Sequence, residues 1–138
     1  MEHIFYRSGY KYQVTEDYTL DIKLKLSVPV SNEYIRFDTE GFLCIRHGYA
    51  WDGPSGLAID TKNFMRGSLI HDALYQLMRE GLLSSEHFRR DADELLYKIV
   101  KEDGMSWFRA QYVYHAVRMF GSKYATKTSK SKGVLKAP

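Results

Sequence analysis

The string His71-Asp72-Ala73-Leu74-Tyr75 gathers the residues best suited to chemistry in this chain. On a helix, His71 and Tyr75 stand four apart and share a face, while Asp72 points about 100 degrees away. Just upstream, the run WDGPSGLAIDTKN (Trp51 to Asn63) crowds Asp-Gly, Pro and Gly into a loop of turn residues, a kind of loop that is more often functional than decorative. Downstream, Asp91 and Asp93 fall on the next helical segment. Packed antiparallel to the first helix, that segment would bring one of the two carboxylates to His71. A carboxylate on one imidazole nitrogen fixes the tautomer and raises the basicity of the other, which is the logic of a general base. A helix start just after a Gly-rich loop would also favour anions beside this group.

A structural account of the same residues stands beside the catalytic one. His71 and Asp72 would then belong to a buried polar network, with Tyr75 a core aromatic whose hydroxyl is bonded. Arg109 and Arg118 lie on the third helical segment. If either pairs with Asp91 or Asp93, the carboxylate becomes an ion-pair partner instead of a catalytic group.

Other candidates carry less. His47 could join His71, Asp72 and Asp93 in a transition-metal site, since imidazole and carboxylate suit such metals. Cys44 sits in an apolar strand and reads as a small hydrophobe, with nothing nearby to activate a thiolate. His3, His87 and His115 belong to no pattern. No phosphate-binding P-loop, dinucleotide fingerprint or zinc-finger spacing is present.

The elements that must position these groups follow from periodicity. Leu20, Ile22, Leu24 and Leu26 alternate with polar residues as a half-buried strand, ended by Pro29. Tyr34 to Phe37 is a second short strand, Asp38 to Gly41 a turn, and Phe42 to Ile45 a more buried strand. Lys11 to Val14 adds another. The second half predicts three helices. The first runs from about Phe64 or Ser68 to Glu80, with Gly81 as its C-cap and Ile70, Ala73, Leu74 and Leu77 as its stripe. The second begins near Ser84, where Ser84 with His87 is a partial capping signature, and buries Phe88, Ala92, Leu95, Leu96 and Ile99 before Gly104. The third runs from Ser106 to Phe120, with Trp107, Ala110, Val113, Tyr114 and Val117 on one side and Gly121 closing it. The fold class is α+β, a small N-terminal antiparallel β-sheet packed on a three-helix C-terminal half. Residues 1–121 form a single domain, with 1–50 mainly strands, 51–63 the Gly/Pro loop and 64–121 the helices; 122–138 is a basic tail.

The chain's 138 residues, 44% hydrophobic and 27% charged, suit one globular domain and argue against a disordered one. No apolar run approaches the roughly 20 residues that span a bilayer, and no secretory signal is visible at the N-terminus. One cysteine excludes an internal disulfide framework. The last 18 residues hold five lysines and no acid, which leaves the remainder slightly acidic. Such a tail can touch nucleic acid, anionic lipid or an acidic protein surface, or stand as a solvated end.

Two resemblances arise at these residues. The strings GYAWDGPSG and RGSLIHDALYQL, the pair Ala92-Asp93 and the string VYHAVRMFG resemble, in order, a family of uncharacterised proteins from tailed phages and prophages, domain of unknown function 1353. The family carries no assigned activity, so this likeness implies a phage origin, with the virion or the host cytoplasm as location. The second is local. The order Gly-Pro-x-Gly, His-Asp-x-x-Tyr, Ala-Asp-x-x-Leu is similar to the phospholipase A2 segment of parvovirus capsid proteins. That likeness implies a calcium-dependent hydrolase in which His71 is the base, Asp93 its orienting carboxylate and Tyr75 an aromatic support. Gly53, Ser55 and Gly56, with Asp52 beside them, would lie in the calcium loop, and Asp72 would be the side-chain ligand. The chain departs from that pattern at Asp52, Pro54 and Ser55, and its N-terminal strands have no place in a minimal phospholipase. Trp51, Leu57, Phe64 and Met65 are the residues near the loop that could face lipid.

These readings set three expectations. The first is a phospholipase A2-like hydrolase acting on phospholipid. The second is a non-enzymatic phage structural or accessory protein, contacting virion proteins or itself. The third is a nucleic-acid binder, which has only the Lys-rich tail behind it and would bind weakly and with strong salt dependence.

Overall fold

Short alternating segments fold into two antiparallel sheets, and the periodic segments after them form three helices. The computed structural model describes residues 3–7, 12–51 and 62–126. Strands β1 (Tyr6–Arg7), β2 (Tyr12–Val14) and β7 (Ala50–Trp51) make one sheet in the order β1-β2-β7. Strands β3 (Tyr18–Asp21), β4 (Val30–Ser31), β5 (Ile35–Phe37) and β6 (Phe42–Ile45) make the other, ordered β3-β6-β5-β4. Helices α1 (Lys62–Arg79), α2 (Ser85–Glu102) and α3 (Trp107–Phe120) follow, then a 3-10 turn at Ser122–Tyr124.

The class is α+β, as the sequence predicts. The strand expected over Leu20 to Leu26 stops at Asp21, however. Lys23 takes a left-handed backbone, φ 60°, and its N–H turns back to Asp21 Oδ1 at 3.0 Å. A residue in that conformation cannot continue a ladder. The side-chain alternation outlasts the strand, with Ile22 buried and Leu24 and Leu26 half-buried. The Asp38 turn forms as expected: Asp38 Oδ1 accepts from the backbone N–H of Glu40 and of Phe42, both at 2.9 Å, and hands the chain into β6. Cys44, on β6, is half-buried.

Helix α1 is the organising element. From Phe64 to Met78 every residue is buried except Asp72, which is half-buried. One side of α1, through Leu69, Ile70, Leu74 and Leu77, joins the core beneath both sheets with Ile35, Phe37, Leu43 and Ile45. At its start Phe64 joins a second cluster with Leu96 and Val100 of α2 and Ala110, Val113 and Val117 of α3. Polar side chains pin it as well. The Trp51 indole donates to Ser68 Oγ at 3.0 Å, and the Tyr49 hydroxyl donates to Gln76 Oε1 at 3.1 Å. The buried Arg66 guanidinium donates to Asp103, Glu102 and the Tyr18 hydroxyl. Burial alone would lower the Arg66 pKa, but those hydrogen bonds outweigh it and raise it, so the group stays charged.

Helix α2 begins where its partial capping signature predicts, and Ser106, expected as the first residue of α3, is its N-cap. Ser84 accepts from the His87 N–H and Ser106 from the Arg109 N–H. Trp107, expected on the buried side of α3, is instead exposed. It is the helix's first residue and stacks edge-on against Phe108 at the open end.

Candidate functional site

The spacing of four on α1 lays the His71 ring beside the Tyr75 ring, centroids 4.1 Å apart and planes at 34°. Residues 80–84 turn the chain back so that α2 packs along α1. That packing delivers Asp93, not Asp91, to the pair. The His71 Nε2–H donates to Asp93 Oδ1 at 2.6 Å, and the Tyr75 hydroxyl donates to the same oxygen at 2.7 Å. Asp93 is 0% exposed and His71 7%. An ionised carboxylate only accepts, so the bond puts a proton on Nε2 and leaves Nδ1 as the basic nitrogen of the neutral ring. Nδ1 has no hydrogen-bond partner among the described residues.

The other carboxylate oxygen belongs to arginine. Arg118, near the end of α3, donates from Nη1 to Asp93 Oδ2 at 2.7 Å. Arg89, one turn before Asp93 on α2, lies 4.0 Å from that oxygen. Its main bonds go elsewhere: Nε donates to the Tyr75 hydroxyl at 3.1 Å, and Nη2 donates to the backbone carbonyls of Val117 and Arg118, both at 2.8 Å. The acid is thus shared between the imidazole and an arginine, the two partners the sequence set against each other. Burial pushes the Asp93 carboxyl up, but the hydrogen bonds from His71, Tyr75 and Arg118 outweigh it and hold it below the usual carboxylate range. Burial, followed by the Asp93 charge and hydrogen bond, pushes the Tyr75 phenol up, so it stays protonated and remains a donor.

Gly121 completes the enclosure. A Cβ there would stand 2.8 Å from the Tyr75 hydroxyl and 2.5 Å from the Val117 carbonyl oxygen, so the chain end of α3 closes over the tyrosine only because the residue is glycine.

Several expectations change. Helix α1 starts at Lys62, so His71 lies well inside it and the favourable field of a helix N-terminus does not reach the ring. His47 bonds to Asp17 at 2.8 Å on the surface, and among the described residues no group of three or more His, Cys, Asp or Glu could hold a metal. The backbone N–H of His47 is the main cause of a lowered Asp17 pKa. Arg109 approaches the Asn63 side chain and the Phe64 ring; Arg118 is the arginine that reaches the acid. Trp51, Phe64 and Met65 are buried, so they offer no face to lipid. The expected calcium-loop residues Asp52, Gly53, Ser55 and Gly56, and Leu57 beside them, lie outside the described residues.

Two members of the site escaped the reading of the sequence. Arg89 stands four before Asp93, a spacing that signals an ion pair on one helix face. Gly121 reads only as a helix stop; nothing in the linear string signals a tyrosine hydroxyl against it.

The search of curated proteins and that of solved structures found no match. A family model does match residues 32–117, from the turn before β5 through most of α3, and its description is "protein of unknown function (DUF1353)". That span exceeds half of the chain and contains His71, Tyr75 and Asp93, and the chain belongs to this family.

Proposed function

We propose that the chain is a small phage-encoded hydrolase whose site works in the manner of a calcium-dependent phospholipase A2. The observation that carries this reading is the Asp93–His71 bond at 2.6 Å, made through Nε2 and shared with the Tyr75 hydroxyl. With Nε2–H held by Asp93, Nδ1 takes the proton of a water that attacks an ester carbonyl and returns it to the leaving alkoxide. Tyr75 and Arg118 fix the carboxylate so that the ring does not turn.

The donor set named by the resemblance is all oxygen, which suits calcium. Asp72 is the one residue of α1 between Phe64 and Met78 that escapes burial. Trp51, from which the 52–61 segment departs, bonds to Ser68, one turn before Asp72 on the same helix face. Asp72, Asp52, Ser55 and the carbonyls of Gly53 and Gly56 would hold the ion, which when bound supplies positive charge for a developing oxyanion. The test is fatty-acid release from phospholipid vesicles by the full chain, with calcium or with chelator. His71→Gln should lower the rate by about a hundredfold or more while leaving the fold intact. Absence of calcium-dependent release by the unaltered chain would overturn the proposal.

A non-enzymatic reading is favoured by the Arg118–Asp93 bond and the 0% exposure of Asp93. There the network locks α1, α2 and α3 together in a structural or accessory protein of a phage particle. An inert chain that sediments with purified particles would decide for it.

A further inference from the structure

Helix α3 carries a second apolar face that nothing in the described structure covers. Its inner side packs Ala110, Val113, Ala116 and Val117. Its outer side presents Phe108, Tyr112, His115 and Met119, spaced four, three and four apart as one continuous stripe. Phe108 is 80% exposed and Met119 71%, and Trp107 and Phe120 flank the stripe at 53% and 62%. Side chains of this size are rarely left to water in one row without a partner.

The charge around the stripe indicates which partner. From Trp107 to Pro138 every charged residue is Lys or Arg, and the last acid before it is Asp103. The two arginines of α3 are committed inward, Arg118 to Asp93 and Arg109 towards Asn63 and the Phe64 ring. The stripe therefore has no arginine or lysine within it, and the lysines begin beyond the helix end, at Lys123. A self-complementary contact between two copies would leave the lysines that follow the helix with no acid on α3 to meet. A single-stranded nucleic-acid site interleaves cations with stacking rings, which this stripe does not. An apolar helix face rich in Trp, Tyr, Phe and Met, followed directly by a polybasic segment, is instead the pairing of signals that holds a protein on anionic lipid.

We infer that the outer face of α3, with the basic segment after it, docks the protein on an anionic membrane surface. Phe108, Tyr112 and Met119 enter the headgroup boundary, Trp107 lies at the interface, and the lysines meet lipid phosphates. The inference goes beyond the proposed hydrolysis and does not need it, because binding is read without turnover.

The experiment is sedimentation of the full chain with phosphatidylcholine vesicles, with or without phosphatidylglycerol, at low and high salt. The chain should bind the phosphatidylglycerol vesicles, more weakly as salt rises, and far less the neutral ones. Trp51 is 3% exposed, so a blue shift of tryptophan emission on binding reports Trp107. Phe108→Ser with Met119→Ser should weaken binding about tenfold or more without changing the unfolding midpoint, since both side chains are exposed. Absence of binding to anionic vesicles overturns the inference. So does unchanged binding by that double variant, including the case in which Lys127→Gln with Lys130→Gln alone abolishes it. A dimer, or a complex with single-stranded DNA, that the same double substitution dissolves would hand the face to that partner and equally overturn it.

Discussion

Asp93 shows how much a single side chain can be asked to hold. Its oxygens take hydrogen bonds from His71, Tyr75 and Arg118 with no solvent contact. Satisfied in this way, a buried carboxylate costs little; removed, it leaves a guanidinium and two polar rings facing a void. Asp93→Ala should lower unfolding free energy by about 3–5 kcal/mol, measured by urea denaturation. An effect below about 1 kcal/mol would mean that the network is solvated and not tightly bonded. Gly121 is sensitive for a different reason. The Val117 carbonyl that a Cβ would meet is backbone and cannot swing aside, and the Tyr75 hydroxyl is tied to Asp93. Gly121→Ala should cost about 1–3 kcal/mol and lower the thermal midpoint. At this scale the sequence is informative about residue types and spacing on one helix. HDALY, the acid on the next helix and an arginine on the third were all readable. Which arginine takes the acid, and that a glycine seals the tyrosine, were not, because those contacts join residues far apart in the chain.

Among the elements, α1 departs most from its linear pattern. A stripe of four apolar residues predicts one buried side, yet the helix is buried nearly all round, between two sheets and a helical pair. Its polar residues survive there because each meets a partner: Ser68 meets Trp51, Gln76 meets Tyr49, and Arg66 meets Asp103. Gly67 lets α2 approach. A Cβ at that position would lie 2.9 Å from Val100 Cγ1 and 3.0 Å from Leu96 Cδ1. Both are side-chain atoms, and alanine favours a helix over glycine by about 1 kcal/mol, so Gly67→Ala should change stability by less than about 1 kcal/mol. Gly67→Leu has no such offset and should lower stability by about 1–3 kcal/mol in the same denaturation assay. Equal effects of the two would show that helix spacing is not set at Gly67. The strands were harder to read. Alternation continues past Asp21, but the left-handed Lys23 ends the ladder, and period-two patterning does not register a backbone turn.

For the molecule as a whole, the network gives stability a predictable acid limit. The folded-state pKa of Asp93 lies below its ordinary value. The unfolded chain therefore binds the proton first as pH falls. The contribution of Asp93 is fully present above the ordinary carboxylate range and is lost as pH drops below about 4 towards the lowered folded value. The urea midpoint should therefore fall between about pH 6 and pH 3, and fall less in Asp93→Asn. An equal fall in both proteins would place the acid sensitivity elsewhere, with Asp17 the next carboxylate held low.

Local patterning by itself determined the α+β class, the order of the three helices, the Ser84 cap of α2 and the common face of His71 and Tyr75, because each depends on residues within a few positions of one another. Only the tertiary structure decided that Asp93 and not Asp91 meets the imidazole, that Arg118 shares it, that α1 is enclosed, and that no described residue covers the outer face of α3. Those outcomes depend on which surfaces long-range packing buries against each other, and a period along one segment carries no record of what lies across the gap.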